Sequence, residues 1–117
     1  MFWRFRRTIP EVSISDVTPS HVVFATFNFK SEEFRREFEN MLASEDGLKK
    51  TRSFKGCRLI ECLRDNSKNT IVIRQEWDSQ EDHEAYFQTR KDSGMLDKVS
   101  EMIDGELEIS RFSPTSL

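Results

Sequence analysis

Residues Thr70 to Lys91 read TIVIRQEWDSQEDHEAYFQTRK and contain the strand-to-helix transition that decides the fold. The first eight residues are rich in β-branched and aromatic side chains, which is typical of a strand. Ser79 can then cap a helix with its hydroxyl oxygen, and two acidic residues follow in the first turn. We therefore predict a strand over 70 to 77 and a helix over about 80 to 91.

A second strand precedes this stretch. Residues 54 to 64, FKGCRLIECLR, have strand composition, and the polar loop DNSKN connects them to Thr70. Two strands joined by a short polar loop are typical of an antiparallel hairpin.

Further elements lie on both sides of the hairpin. Upstream, the pattern predicts a strand over 21 to 30 with apolar residues on both faces, and a helix over 32 to 45 that a left-handed cap at Gly47 closes. Downstream, Gly94 is expected to split the second helix, and residues 106 to 112 alternate as a last strand does.

The resulting order, strand-helix-strand-strand-helix-strand, predicts an α+β fold of the ferredoxin-like type. The chain of 117 residues is long enough for one such domain. We assign residues 1 to 20 to an N-terminal extension, 21 to 113 to the domain and 114 to 117 to a C-terminal tail.

The sheet is expected to carry apolar residues on both faces. In the first strand Val22 and Phe24 point one way, while Val23, Ala25 and Phe27 point the other. Helices cover only one face of such a sheet, so a second subunit is expected to cover the other. The sequence therefore predicts a homodimer.

Charge and composition argue against several classes of partner. The formal net charge of −3 and the pI near 5.5 give no basic surface for nucleic acid. The basic and aromatic opening, Met1 to Arg7, is followed by no apolar run that could serve as a signal peptide or a transmembrane segment. We interpret it as a frayed terminus.

The two cysteines give no indication of a disulfide or a metal site. Cys57 and Cys62 are five residues apart in one predicted strand, so their side chains are expected on opposite faces. Too few other ligands are nearby for zinc. We therefore expect no metal and a reducing, cytoplasmic location.

The helix over 80 to 91 carries the candidate catalytic residues. His83, Tyr86, Phe87 and Arg90 recur at helical spacing and form one stripe. If the stripe faces the sheet, His83 could act as a base, Tyr86 could donate a hydrogen bond, and Arg90 could hold a carboxylate or enolate at a pocket rim. Alternatively, Tyr86 and Phe87 are core residues, and His83 and Arg90 lie at its solvated edges.

Three strand residues complete the candidate ligand-binding set with Phe87. Trp77 ends its strand and is expected to anchor the corner, with its indole N–H bonded to the backbone. Thr26 and Asn28 share a face of the first strand and could point polar groups into the same cavity as the helical stripe; alternatively, Asn28 is close enough to the strand end to be simply exposed.

From His21 to Phe112 the chain resembles the antibiotic biosynthesis monooxygenase (ABM) family. The resemblance rests on Gly56 before the second strand, on the stretch from Trp77 to His83, and on the stretch from Tyr86 to Gly94. It implies a ferredoxin-like protomer that forms a dimeric α+β barrel. Residues that degrade heme in one branch of the family would fall on Val22, Tyr86 and Leu96, which are of other types here, so heme degradation is not implied.

The resemblance also implies an activity, which is oxidation of a small aromatic, quinol-like or polyketide-like compound without a bound metal or flavin. Two alternatives remain open on sequence. The chain could be a non-catalytic dimeric module that binds a hydrophobic small molecule or a protein. It could also be a stress-responsive A/B-barrel protein, which the opening His21-Val-Val-Phe24 of the first strand suggests.

Overall fold

The computed structural model describes residues 20 to 117, so almost all of the predicted extension lies outside the described residues. The strands are β1 (His21–Asn28), β2 (Cys57–Arg64), β3 (Thr70–Trp77) and β4 (Glu108–Phe112). The helices are α1 (Glu32–Ala43), α2 (Leu48–Thr51), α3 (Gln80–Asp92) and α4 (Met95–Ser100).

The four strands form one antiparallel sheet in the order β2-β3-β1-β4, and the ferredoxin-like α+β fold is confirmed. β1 is central and pairs with β3 on one side and β4 on the other. Its register places His21 opposite Trp77, and Val23 opposite Arg111. This register brings residues from three distant parts of the chain to one end of the sheet.

The two faces of the sheet differ in burial. On the face covered by the helices, Val23, Ala25 and Phe27 are buried with Ile71 and Ile73. The alternating residues of β1 are only half-buried, so the strand is not buried on both faces as expected. The open face nevertheless includes apolar side chains: Val22, Phe24, Leu59, Leu63, Val72 and Phe112.

Side-chain capping starts the longer helices where the sequence indicates. Ser31 Oγ accepts from the backbone N–H of Phe34, and Ser79 Oγ accepts from that of Asp82. Gly94 adopts a left-handed conformation, with φ 82°, and separates α3 from α4 as predicted.

Gly47 has a different role from the predicted left-handed cap. α1 ends at Ala43, and Gly47, with φ −87°, precedes the short helix α2, which the sequence analysis missed. A Cβ at Gly47 would lie 2.0 Å from the carbonyl oxygen of Leu42. Close approach of two backbone segments therefore requires glycine here, rather than a positive φ.

The cysteines also depart from expectation. The register of β2 against β3 shifts between Cys57 and Leu59, which is a bulge that adds one residue. Cys57 and Cys62 therefore both lie on the helix-covered face instead of on opposite faces. Both are free thiols, and burial raises the pKa of each.

Candidate functional site

A small cavity lies between the helix-covered face of the sheet and helices α1, α3 and α4. Its volume is about 50 Å³, which is space for water molecules or a small group but not for a polycyclic compound. Most of the wall is apolar. The polar side chains at the wall are Gln75, His83, Tyr86 and Arg90.

The predicted stripe on α3 does face the sheet. His83, Tyr86, Phe87 and Arg90 all line the cavity, so the structure brings together the three predicted catalytic residues and one predicted ligand-binding residue. Their hydrogen bonds decide which of them has an atom left for a ligand.

His83 is 1% exposed, and its ring packs against Trp77 and Phe87 at centroid distances of 5.6 and 5.8 Å. Its Nδ1 lies 3.1 Å from Nη1 of Arg111, which also lies 2.9 Å from Nε2 of His21. Within residues 20 to 117, Nε2 of His83 is the only fully buried side-chain nitrogen or oxygen without a hydrogen-bond partner.

Arg111 decides which nitrogen of His83 carries the proton. A guanidinium only donates hydrogen bonds, so Nδ1 accepts and the neutral ring holds its hydrogen on Nε2. Burial, and to a smaller extent the nearby Arg111 and His21 side chains, lowers the pKa of His83 to about 4. Near neutral pH His83 is therefore a neutral hydrogen-bond donor, not the base that the sequence analysis predicts.

Tyr86 and Arg90 are held in a closed network with the segment before β2. Arg90 donates from Nε to the Tyr86 hydroxyl at 3.1 Å, and from Nη2 to the Gly47 carbonyl at 3.0 Å and Thr51 Oγ1 at 2.9 Å. The Tyr86 and Thr51 hydroxyls are 3.0 Å apart, and Thr51 donates to the Gly47 carbonyl. Tyr86 therefore uses its own proton on Thr51, and Arg90 is a buried structural group instead of a free rim residue.

Arg90→Ala is expected to lower the free energy of unfolding by about 2 to 4 kcal/mol, because it removes three buried hydrogen bonds, to the Tyr86 hydroxyl, the Gly47 carbonyl and Thr51 Oγ1. Urea unfolding at fixed protein concentration measures the loss. The matched control is Lys91→Ala, an exposed neighbour on the same helix, for which we expect less than about 0.5 kcal/mol. Equal stability of the two variants would contradict the structural role of Arg90.

Trp77 lies behind the cavity wall. Its side chain is fully buried against Val23 and Tyr86, and it is not among the residues that line the cavity. The indole N–H donates to Oε1 of Gln75 at 2.9 Å, not to the backbone as expected. This hydrogen bond fixes the orientation of the Gln75 amide at the wall.

Thr26 and Asn28 do not reach the cavity. Alternation along β1 puts both on the open face, where Thr26 pairs with Val72 and Asn28 pairs with Thr70. Asn28 Oδ1 accepts from the Thr70 hydroxyl at 2.7 Å. The expectation that they share the cavity with the helical stripe is wrong because they have the opposite parity to Ala25 and Phe27, which line it.

A second, more open groove lies beside the cavity. It has a volume of about 550 Å³ and runs between α3, α4 and the loop around Gly105. The groove and the cavity share four wall residues: Phe87, Leu96, Val99 and Leu107. These side chains therefore separate the buried donor on His83 from a space large enough for a small aromatic compound.

Taken together, the sheet and the cavity define a ferredoxin-like domain with one unused polar atom in an apolar interior. The family model for antibiotic biosynthesis monooxygenases matches residues 20 to 91. The chain belongs to this family. No curated protein sequence is significantly similar to it.

Solved structures share the fold at low sequence identity. A conserved protein of Methanosarcina mazei is 18% identical, with a TM-score of 0.73 over 85% of this chain and 96% of that one. A monooxygenase of Streptomyces coelicolor in complex with nanaomycin D is 12% identical, with a TM-score of 0.71 over 85% and 90%. A dimeric ferredoxin-like protein from an uncultured marine organism is 18% identical, with a TM-score of 0.69 over 86% and 92%.

Residues 20 to 117 contain no helix that is long and apolar enough to cross a membrane. The same residues bring together no group of three histidine, cysteine or acidic side chains that could bind a metal ion.

Proposed function

We propose that this protein is a monooxygenase that oxidises a small, electron-rich aromatic, quinol-like or polyketide-like compound without a bound metal or flavin. The observation that carries the proposal is the buried, unpartnered Nε2 of His83 at the wall of an apolar cavity. A buried polar atom without a partner is costly, and a catalytic role is one of the reasons for which native proteins retain such an atom. Membership of the monooxygenase family supports the reaction type.

The chemistry needs an electron-rich substrate more than it needs a reactive side chain. In an anthrone-type substrate, loss of a proton gives an enolate that can reduce O₂ directly. One oxygen atom then enters as the carbonyl that replaces the CH₂ group, and the other leaves as water. His83 would donate from Nε2 to the substrate oxygen and stabilise the negative charge that forms there.

The apolar wall has a part in the same reaction. Exclusion of water strengthens the hydrogen bond from His83 and protects an enolate from reprotonation. Because the cavity is small, the bulk of a substrate would lie in the adjacent groove, with its oxygen reaching His83 past Phe87. A modest displacement of Phe87, which is only half-buried, would join the two spaces.

Oxygen uptake with 1,8-dihydroxyanthrone and with a panel of model quinols tests the proposal. We expect uptake above the buffer rate, and a loss of about tenfold or more in kcat/KM for His83→Phe, which keeps the ring volume but removes the donor. Thr89→Ala, at an exposed position of α3 that lines neither the cavity nor the groove, is the control and should retain the parental rate. If no compound of the panel gives oxygen uptake above the buffer rate, the proposed monooxygenase activity is refuted.

The second candidate is a non-catalytic module that binds a hydrophobic small molecule. The observation that favours it is that Tyr86 and Arg90 use their polar groups within the fold and leave one donor for a ligand. Thermal stabilisation by compounds of the same panel, without oxygen uptake, would support this candidate over the enzyme.

We also propose that the chain forms a homodimer across the open face of the sheet. Phe112 is 53% exposed there and packs edge-on against Phe24 at 5.6 Å. Beside the ion pairs of Arg74 with Glu61 and Glu76, the same face carries the apolar side chains of Leu59, Leu63 and Val72. A dimeric structural relative gives independent support.

Light scattering at micromolar concentration should give about 28 kDa for the parent, twice the chain mass of 13.8 kDa. Phe112→Glu places a charge on the proposed interface and should shift the mass towards the monomer. Phe34→Glu is the control, since Phe34 is also partly exposed but lies on α1, on the other side of the sheet. A monomeric parent would contradict the proposal.

A further inference from the structure

Arg90 lies at the wall of the cavity, and Arg111 contacts the His83 ring from the edge of the sheet; within residues 20 to 117 neither guanidinium has a carboxylate among its hydrogen-bond partners. The described partners of Arg90 are two hydroxyls and a carbonyl, and those of Arg111 are the neutral rings of His21 and His83. The described residues that line the cavity include no aspartate or glutamate. Glu84 on α3 also acts on His83, but less strongly than Arg111, so the charged groups around the His83 ring act on balance as a cation.

Arg111 polarises the His83 ring through the hydrogen bond to Nδ1. A hydrogen bond from a cation to Nδ1 draws electron density from the ring and makes the hydrogen on Nε2 a stronger donor. The ring itself stays neutral, because burial beside Arg111 opposes a second proton. The single donor that is left for a ligand is therefore polarised towards binding negative charge.

His21 helps to hold the guanidinium in place. Nη1 of Arg111 has two hydrogens, and the two histidines accept from it at 2.9 and 3.1 Å. His21 and His83 are buried, whereas Arg111 is exposed at the edge of the sheet. The long side chain of Arg111 is thus fixed at its tip by two buried acceptors, so the hydrogen bond that sets the His83 tautomer is in place before a ligand binds.

We propose that the cavity binds an aromatic or enolic oxygen in its anionic form, with His83 Nε2 as the donor and Arg111 as a positioning residue that acts through His83. The ligand would bind in the same cavity as the substrate of the proposed enzyme, but it need not react there. A ligand that binds as an anion needs no base in the site, and none of His83, Tyr86 and Arg90 provides one. A hydroxyl whose anion is stabilised on binding ionises at a lower pH than in water and releases its proton to solvent.

The tautomer of His83 in the free protein is the first test. Long-range ¹H–¹⁵N correlation spectra of the labelled protein should show a protonated Nε2 and an unprotonated Nδ1. Arg111→Met keeps the stem but removes the donor, and should give a mixture of tautomers; Arg111→Lys keeps a cationic donor and should largely preserve the parental spectrum. A protonated Nδ1 in the parent, or an unchanged spectrum in Arg111→Met, would overturn the role of Arg111.

Binding of 4-nitrophenol is the second test, because its anion and its neutral form absorb at different wavelengths. At a pH about one unit below the pKa of the free probe, the parent should bind it mainly as the anion. His83→Phe and Arg111→Met should each weaken anion binding by about tenfold or more. Arg64→Met, an exposed arginine on the opposite edge strand, is the control and should behave as the parent.

The outcomes separate this inference from the proposed enzyme. A probe bound in neutral form, no change in the His83 Nε2 resonance up to the solubility of the probe, or equal anion binding by Arg111→Met would refute anion recognition. Oxygen uptake could still be present in that case. Conversely, anion binding that depends on both residues, without oxygen uptake on any quinol or anthrone, would leave this inference standing and refute the enzyme.

Discussion

Trp77→Ala is expected to reduce the free energy of unfolding by about 3 to 5 kcal/mol, the usual cost of emptying a buried aromatic site. The indole is fully buried and contacts Tyr86 and His83 at ring-centroid distances of 5.2 and 5.6 Å. Its removal also leaves Gln75 Oε1 without its donor inside the protein. Urea unfolding at constant protein concentration gives the change directly.

A graded series makes the result specific to the ring. Trp77→Phe keeps most of the apolar volume but loses the hydrogen bond to Gln75, so it should be less destabilising than Trp77→Ala. A loss below about 1 kcal/mol for the alanine variant would mean that the ring is not packed as described. Because His83 rests against the indole, Trp77→Ala should also disturb the His83 tautomer.

The fold could be predicted largely from local patterns. Strand composition at 70 to 77, the serine caps before α1 and α3, and Gly94 each act over a few residues, and the predicted elements agree with the structure to within a few positions. The errors arise where one backbone segment meets another. The bulge in β2 and the close approach of Gly47 to Leu42 depend on packing partners that no local pattern reveals.

The candidate site could be predicted only in part, for a related reason. Helical spacing correctly placed four side chains of α3 along one wall, because spacing within a helix is local geometry. The roles of Tyr86 and Arg90 depend on Thr51, which is 35 and 39 residues away in sequence. The sequence contains no local indication of such a contact.

Arg111 was missed because the register of β4 is weakly specified. The strand has mostly exposed residues, so its hydrophobic pattern does not fix its pairing with β1. Once the register is known, Arg111 lies opposite Val23, two residues from His21, and its length allows it to reach both histidines. A buried histidine on α3 and another at the start of β1 were the features that could have prompted a search for a shared partner.

Acid should destabilise the protein through His83 before it affects most carboxylates. Burial lowers the pKa of His83 to about 4 in the folded state, with further lowering by Arg111 from β4 and His21 from β1, and Glu84 on α3 opposes this in part. The unfolded chain has the ordinary value of 6.5 and binds the proton first, so stability is complete above about pH 6.5 and falls as the pH decreases towards 4. The same causes lower the pKa of His21, which adds to the loss.

The full difference in His83 pKa corresponds to about 3 kcal/mol, of which about 2 kcal/mol should be lost between pH 7 and pH 5. Urea unfolding at these two pH values measures it, at one protein concentration because assembly also contributes to stability. His83→Gln, whose amide has no proton to gain in this range, should lose much less stability, and the loss that remains should come from His21.

Carboxylates such as Glu39, whose pKa is lowered by its arginine partners, titrate below this pH range. Equal losses for the parent and the His83→Gln variant between pH 7 and pH 5 would show that folding leaves the pKa of His83 unchanged, which would contradict a buried ring that accepts a hydrogen bond from Arg111.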